Sequence, residues 1–340
     1  MTETSLTTVA ESIRAPFRKF TEEFEPLRPE LYRYCRYLTR TPWDAEDLVQ
    51  ETLIRAFVVL GTRHDAPEHP KAWLFKVASN RWLNICEKRR EVPTAELLGA
   101  TSMPVDPKAT REAAATLVGG LAPQERAALV LKEVFEFSLD EIAALLSTSL
   151  GAVKSALHRA RGKLTEQDRS HLAAAPPTTL SEFCSAFNAR DLDKVMSLLL
   201  ETVDIELSGT FTDSGAAVAK RSFGGLMFAT KMAMEAGIPS DYRTGLQSVP
   251  PRFEVRMHRG VPVVLTFWTH DDGEHVRGVS LFTEVENRIA GIKTYMHSPE
   301  LIAEVCRELS VSFRSNGYRN WEAGEYWSRL RLSEVSPKPT

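Results

Sequence analysis

The stretch that most limits how this chain can fold is TPWDAEDLVQETLIRAFVVLG, residues 41–61. It opens as a capping box, with Thr41 as N-cap, Pro42 at the first helical position and Asp44 three residues after the cap. Apolar residues then recur at Ala45, Leu48/Val49, Leu53, Ala56/Phe57 and Leu60, the spacing of one buried helix face. Gly61 is placed to end the helix in a left-handed cap. The opposite face carries Asp47, Gln50, Glu51 and Arg55, and on most amphipathic helices such a face is simply solvated. The preceding run LRPELYRYCRYLT (27–39) supplies a partner. Leu31, Tyr34/Cys35 and Leu38 share a face, and the short connection at 40–43 turns the chain back antiparallel. Residues 1–20 carry little pattern and are expected to be frayed or weakly helical.

After Gly61 the polar loop TRHDAPEHP (62–70) is broken by two prolines. Pro70 starts a long helix through KAWLFKVASNRWLNICEKRRE, to about Glu91. Trp73/Leu74, Val77/Ala78, Arg81/Trp82 and Ile85 recur at helical spacing, so the tryptophans can be core residues. Their company of Lys76, Arg81, Lys88, Arg89 and Arg90 also suits single-stranded DNA, which is held by cations along its backbone and aromatic faces on its bases. The residues alone leave both readings open. VPTAELLGATSMPVDPKAT (92–110) has three prolines and no sustained period, and reads as a linker.

A second helical unit follows. LAPQERAALVLKEVF (121–135) is helical, and SLDEIAALLSTSLGAVKSALHRARGKL (138–164) has a helix-turn-helix pattern. Ser138 caps a short helix with Glu141 three residues on, Ser147–Ser149 make the turn, and a second helix starts at Leu150. That helix buries Val153, Leu157 and Ala160 and exposes Lys154, Ser155, His158, Arg159, Arg161 and Lys163. A helix lying in a major groove needs this division between an apolar face and a face of donors.

DAEDLVQETLIRAF closely resembles the helix by which extracytoplasmic-function sigma factors dock on the clamp of bacterial RNA polymerase. ASNRWLNICEKRR is similar to the segment with which they recognise and melt the −10 promoter element, and 138–164 to their −35-reading module. The resemblance implies core-polymerase contacts at Asp44, Asp47, Gln50, Glu51 and Arg55. It implies −10 contacts at Lys76, Asn80, Arg81, Trp82, Asn84, Lys88, Arg89 and Arg90, and −35 contacts at Lys154, Ser155, His158, Arg159 and Arg161. It further implies that the loop at 61–69 captures a flipped base, whose unstacking the protein must offset, and that the linker threads toward the polymerase active-centre cleft. The chain departs from the family pattern twice. Ser147 stands where the tight turn usually has glycine, so it must tolerate a left-handed backbone. GAVKSAL (151–157) stands where the family usually reads G-T-V-K-S-R-L, so Ala152 and Ala156 remove a hydroxyl and a guanidinium.

DRSHLAAAPPTT (168–179) is a second linker with a semi-rigid Pro176-Pro177 spacer. TLSEFCSAFNARDLDKVMSLL (179–199) reads as two amphipathic segments around an ARD turn, and VDIELSG (203–209) as a strand. FEVRMH (253–258), VPVVLTFWT (261–269), HVRGVSLFTEVE (275–286) and RIAGIKTYMH (288–297) are β-rich runs joined by short turns at Arg259-Gly260, Asp271–Gly273 and Asn287, a meander of hairpins. Helices followed by a curved meander make an α+β cone. The order resembles the SnoaL-like (NTF2-like) domain that follows the sigma modules in one class of these factors. Cyclases of that fold hold an Asp/His pair in the cone, for which His258, His270, Asp271, Asp272, His275 and His297 are the candidates. Residues 270–275 fall at a hairpin tip, where polar residues are ordinarily just solvated. SPELIAEVCREL then forms a capped helix with Pro299 in its first position. The tail's Trp321, Tyr326, Trp327, Leu330 and Leu332 either finish the cone's core or form a docking surface.

Composition narrows the classes. A net charge of −3 over 340 residues excludes a chain coated in positive charge, so any nucleic-acid surface must be local. Cys35, Cys86, Cys184 and Cys306 form no C-x-x-C pair and read as reduced thiols. No apolar run nears the roughly 18 residues of a membrane helix, and the N-terminus is unlike a signal peptide. The protein is therefore expected to be cytoplasmic. The expected fold is multidomain: a helical −10 module (21–91), a linker (92–110), a helix-turn-helix −35 module (111–167), a linker (168–177), an α+β SnoaL/NTF2-like cone (178–298) and a helical tail (299–340). The expected function is a sigma factor whose partners are core RNA polymerase and promoter DNA, and whose C-terminal domain regulates it through contact with the sigma modules. The alternative is a SnoaL-like enzyme of the cyclase or isomerase type fused to a DNA-binding regulator. No catalytic residue, metal ligand or cofactor is assigned, and a small ligand in the cone is left open.

Overall fold

The computed structural model describes residues 3–62, 66–91, 120–163, 175–235 and 250–318. They belong to two compact units, 1–170 and 171–340, each considered by itself. The linker at 92–110, most of the linker at 168–177 and the tail aromatics Trp321, Tyr326, Trp327, Leu330 and Leu332 lie outside the described residues.

In the first unit α1 (Glu3–Phe24) and a 3-10 turn lead into α2 (Arg28–Thr39), α3 (Pro42–Thr62) and α4 (Pro70–Glu91). The N-terminal segment is thus helical rather than frayed, and it is tied down by aromatic contact: Phe17 and Phe20 each pack on Phe57 of α3 with ring centroids 5.4 Å apart. The cap of α3 forms as the sequence predicts. Thr41 Oγ1 accepts the Asp44 N–H at 3.0 Å and donates to the Asp44 carboxylate at 2.7 Å. Gly61, expected to stop α3, is instead helical, and the last turn runs to Thr62, whose hydroxyl donates back to the Val58 and Val59 carbonyls. The core between α2, α3 and α4 holds the fully buried Leu31, Leu38, Val49 and Ala56, with Leu74 almost as deep.

Among the described residues α5 (Pro123–Glu133), α6 (Leu139–Leu145) and α7 (Leu150–Gly162) follow. An aromatic cluster joins them to the first helices. Tyr34 stacks on Phe75 at 4.5 Å, and Phe135 meets both rings edge-on at 5.6 and 4.9 Å. The Ser79 hydroxyl donates to the Phe75 carbonyl, so the buried Tyr34 hydroxyl donates to Ser79 at 2.7 Å, giving this polar atom its partner. Burial pushes the Tyr34 phenol well above its usual pKa.

The second unit begins with α8 (Thr178–Asn188) and α9 (Leu192–Ser197), joined at the predicted turn, where Arg190 has φ 62° and Asp191 caps α9. A six-stranded open sheet follows in the order β2-β1-β6-β5-β4-β3. It is built from β1 (Leu199–Leu207), β2 (Phe211–Ser214), β3 (Arg252–His258), β4 (Val261–His270), β5 (Gly273–Val285) and β6 (Arg288–Tyr295), with α10 (Ala216–Glu235) between β2 and β3. β3 to β6 are the predicted meander. The turns Arg259-Gly260 and Glu286-Asn287 each have two residues at positive φ, the geometry that matches strand twist in two-residue hairpins. β1 closes the order by pairing parallel to β6.

α8, α9 and α10 cover one face of the sheet through Phe183, Phe187, Phe223, Met227, Phe253, Val264 and Ile292. Side chains alternate along a strand, so Val263, Leu265 and Val279 point to the other face. They too are buried, and α11 (Pro299–Glu308) packs there on β5 with Leu301, Ile302, Val305 and Cys306. Ser298, expected to cap α11, makes no side-chain cap bond. Ionic contacts pin the helix instead: Glu308 accepts from His258 Nε2 at 2.8 Å and from Arg259. Beyond α11 the chain runs beside the free end of β5. There the Val276 N–H donates to the Ser312 carbonyl, the Arg314 N–H donates to the Val276 carbonyl, and Asn316 caps the Arg277 and Met296 carbonyls. This helices-and-sheet layering is the α+β arrangement expected from the SnoaL-like resemblance. Among the described residues no helix is long and apolar enough to cross a membrane.

Candidate nucleic-acid interface

α6 and α7 are positioned by two caps and a strained turn. The Ser138 hydroxyl accepts the Glu141 N–H at 3.2 Å while the Glu141 carboxylate accepts the Ser138 N–H at 2.7 Å, the reciprocal capping box that the sequence predicts. Ser147 takes the left-handed conformation, φ 51°, and Ser149 then caps α7 by accepting the Ala152 N–H. On α7 the buried residues are Val153, Ala156, Leu157 and Ala160. Lys154, Ser155, His158, Arg159 and Arg161 are all exposed. Spaced three and four apart, they form one continuous face of donors opposite the apolar face. Two of them also hold acids on α5: Arg159 Nε donates to Glu125 at 2.8 Å, and Arg161 donates to Glu133 at 2.7 Å.

The other candidates lie on α3 and α4. Asp44 belongs to the cap of α3, Asp47 is half-buried, Gln50 donates to Glu46 at 2.7 Å, and Arg55 is exposed. Glu51 and Arg81 form an ion pair across α3 and α4, which joins the expected polymerase-facing set to the expected −10 set. That bond raises the Arg81 pKa against the opposing effect of burial. Asn80, Asn84 and Lys88 are exposed and Lys76 is half-buried, while the side chains of Arg89 and Arg90 lie outside the described residues. Trp82 is the exception. It is only 5% exposed and lies beneath the Arg126 guanidinium, 5.6 Å from its ring, so here it packs as a core residue between α4 and α5.

Two family models match the first unit. Residues 24–92 match the model "Sigma-70 region 2" and residues 111–164 match "Sigma-70, region 4". The chain is 30% identical over 217 residues to the ECF RNA polymerase sigma factor SigG of Mycobacterium tuberculosis, a match that takes in 53% of this chain and 58% of SigG. It is 34% identical over 156 residues to the RNA polymerase sigma-E factor of Streptomyces coelicolor, covering 44% of this chain and 85% of that one. The chain belongs to the extracytoplasmic-function RNA polymerase sigma factors. The crystal structure of the M. tuberculosis extracytoplasmic-function sigma factor SigJ aligns over 82% of this sigma factor and 97% of its own length, at 24% identity and a TM-score of 0.32. The match to SigG thus spans little more than half of that relative's length.

In the C-terminal unit of this sigma factor the histidine and aspartate candidates divide: His270, Asp272 and His275 meet at the β4–β5 tip, and His258 lies apart. His258 is buried against Glu308, away from the β4–β5 tip. At that tip His270 and His275 meet edge-on at 5.4 Å, His275 bonds the exposed Asp272 at 3.0 Å, and Arg314 holds the same carboxylate at 2.7 Å. Burial, then the positive charges of Arg277 and Arg314, lowers the His270 pKa. No group of three or more His, Cys, Asp or Glu side chains among the described residues is arranged to hold a metal ion.

Sequence reading passed over Glu46, Glu125 and Arg126. Glu46 pairs with Arg28 in full burial, and Arg126 reaches from α5 to the Leu38 carbonyl at 2.7 Å. Glu125 carried one local signal: it lies three residues after Ala122, whose N–H it accepts at 3.2 Å. Their ionic and interhelical partners, Arg28 for Glu46, Arg159 and Lys163 for Glu125 and the Leu38 carbonyl for Arg126, lie 18 to 88 positions away, beyond any local pattern.

Proposed function

We propose that this protein directs bacterial RNA polymerase to specific promoters as an initiation factor. α3 docks on the polymerase through Asp44, Asp47, Gln50, Glu51 and Arg55. α4 reads and melts the −10 element through Lys76, Asn80, Arg81, Trp82, Asn84, Lys88, Arg89 and Arg90. α7 reads the −35 element. The observation that carries this reading is the division of α7, with its four buried small or aliphatic residues on one side and Lys154, Ser155, His158, Arg159 and Arg161 exposed on the other. Such a helix, offered by a capped partner helix, is built to enter a major groove. Trp82 can reach DNA only after α5 moves off it, so engagement of the −10 element requires the two helical modules to separate. The chemistry of RNA synthesis belongs to the polymerase. The C-terminal unit acts as a regulator and not as an enzyme, a reading supported by the engagement of His258 and Asp272 in ionic contacts at opposite ends of the sheet. Its place of action is the cytoplasm, where polymerase and promoter are found.

The test is transcription in vitro from a promoter library with core polymerase. The full chain is expected to give discrete start sites that core alone does not. Glu51→Lys is expected to weaken co-purification with polymerase while leaving the helical content unchanged. No promoter-dependent transcript, or unchanged co-purification, would remove the respective assignment. A chain ending at Ser170 tests regulation: initiation at the wild-type level would deny the C-terminal unit a regulatory role.

A further inference from the structure

Glu125 sits on α5, the helix behind the recognition helix, and is 5% exposed. A carboxylate this deep is costly unless donors surround it, and three do. Oε1 accepts from Arg159 Nε at 2.8 Å, and Oε2 accepts from Lys163 Nζ at 2.9 Å and from the Ala122 N–H at 3.2 Å. Burial raises its pKa, but the Lys163, Arg159 and backbone bonds together outweigh burial and hold it down at about 2. These three donors favour the carboxylate form of Glu125. Arg159, by contrast, is 55% exposed and is held by Nε, the inner edge of its guanidinium. Its two terminal amino groups lie beyond the clamped atom, the pair that a guanine edge takes in a bidentate contact. An unclamped arginine is rich in rotamers, and part of that freedom must be given up on binding. A side chain already fixed loses less.

We propose that Glu125 is a positioning residue for promoter reading: from behind α7 it fixes Arg159 for contact with a base edge and restrains Arg159 and Lys163 from indiscriminate phosphate contacts. The proposal rests on the reading of α7 as the −35-recognition helix. It has a consequence that a merely structural role lacks. Neutralising Glu125 adds one positive charge beside the DNA face and frees two cations, so non-specific affinity should rise as specificity falls.

The experiment uses the full chain bound to core polymerase and a duplex library randomised across the −35 window, followed by titration of the selected and a scrambled duplex over a range of salt. For Glu125→Gln the ratio of specific to non-specific affinity is expected to fall about tenfold, and the salt slope for the scrambled duplex to steepen by about one, the value of one added phosphate contact. Glu125→Asp, which keeps the charge one methylene short, is expected to fall between the two. In the Arg159→Ala background Glu125→Gln is expected to leave the preferred sequence unchanged. The proposal is overturned if both Glu125 variants match the wild type in ratio and slope, or if the specificity loss persists undiminished without Arg159. It is equally overturned if specific and non-specific binding fall in proportion. If the wild type selects no sequence at all, the −35 reading of α7 fails first, an outcome distinct from a wild type that selects and a variant that does not differ.

Discussion

Arg126→Met tests what joins the two helical modules. In the wild type the guanidinium donates to the Leu38 carbonyl at 2.7 Å. That carbonyl lies in the last turn of α2, among the four that a helix cannot satisfy internally, and a cation there also meets the negative end of the helix dipole. Removing this charge-assisted bond is expected to cost about 1.5–3 kcal/mol, and loss of the contact with Trp82 about 0.5–1 kcal/mol more. One effect opposes both. Burial, followed by the nearby Arg40 charge, pushes the Arg126 pKa down to about 10, so the folded state disfavours this charge and methionine relieves that penalty. Because the carbonyl left behind stays buried, the net change is expected to be a loss of about 1–3 kcal/mol. Urea unfolding of the full chain, with amide hydrogen exchange read over 28–39 and 120–133, would measure it where it acts. Unchanged or slower exchange in those segments would refute the reasoning and place Arg126 among buried charges that apolar groups replace without loss.

Three further outcomes are expected. Burial raises the Glu308 pKa, but His258 and Arg259 outweigh it and hold the group at about 2. A depressed carboxylate gives stability that is fully present above its ordinary value near 4.5 and is lost as pH falls toward 2, so Glu308→Gln should flatten the acid unfolding of the C-terminal unit across that window. Ser147→Gly should relieve about 1–2 kcal/mol of left-handed strain against about 0.4–1 kcal/mol of added unfolded-chain entropy. A higher unfolding midpoint for 120–163 would show it. Phe187, fully buried and stacked on Phe253 at 3.7 Å, should cost about 3–5 kcal/mol on replacement by alanine, measured by denaturant unfolding of the C-terminal unit.

What the sequence made legible were features decided within a few residues. The caps at Thr41 and Ser138, the left-handed Ser147 and the hairpin turns at 259–260 and 286–287 each follow from local chemistry. Where a distant partner decides, sequence reading failed. Gly224-Gly225 interrupts the pattern of α10 in sequence, yet Ala219, Phe223 and Met227 are buried against the sheet and hold it helical. The alternation that predicts a strand starts at Val203, whereas the pairing of β1 with β6 begins at Leu199. Trp82 looked equally suited to DNA and to a core, and only the position of Arg126, 44 residues on in sequence, separates the two. Gly61 is a local exception: glycine there favours a stop, yet the helix runs on to Thr62, whose hydroxyl bonds back to the Val58 and Val59 carbonyls.

The strand-like return of the chain past β5 decides how this protein can be shortened. Val276 has its N–H and C=O partnered by Ser312 and Arg314 because β6 does not reach that end of β5. A polypeptide cut at the end of α11 would open a notch there, with an unpaired donor and acceptor set beside buried side chains, an invitation to pair with another molecule. Precipitation or inactivity of such a product would record a torn sheet and say nothing of control. Cuts meant to separate the tail's influence from the integrity of its own domain belong beyond Asn316, whose amide still fastens the Arg277 and Met296 carbonyls.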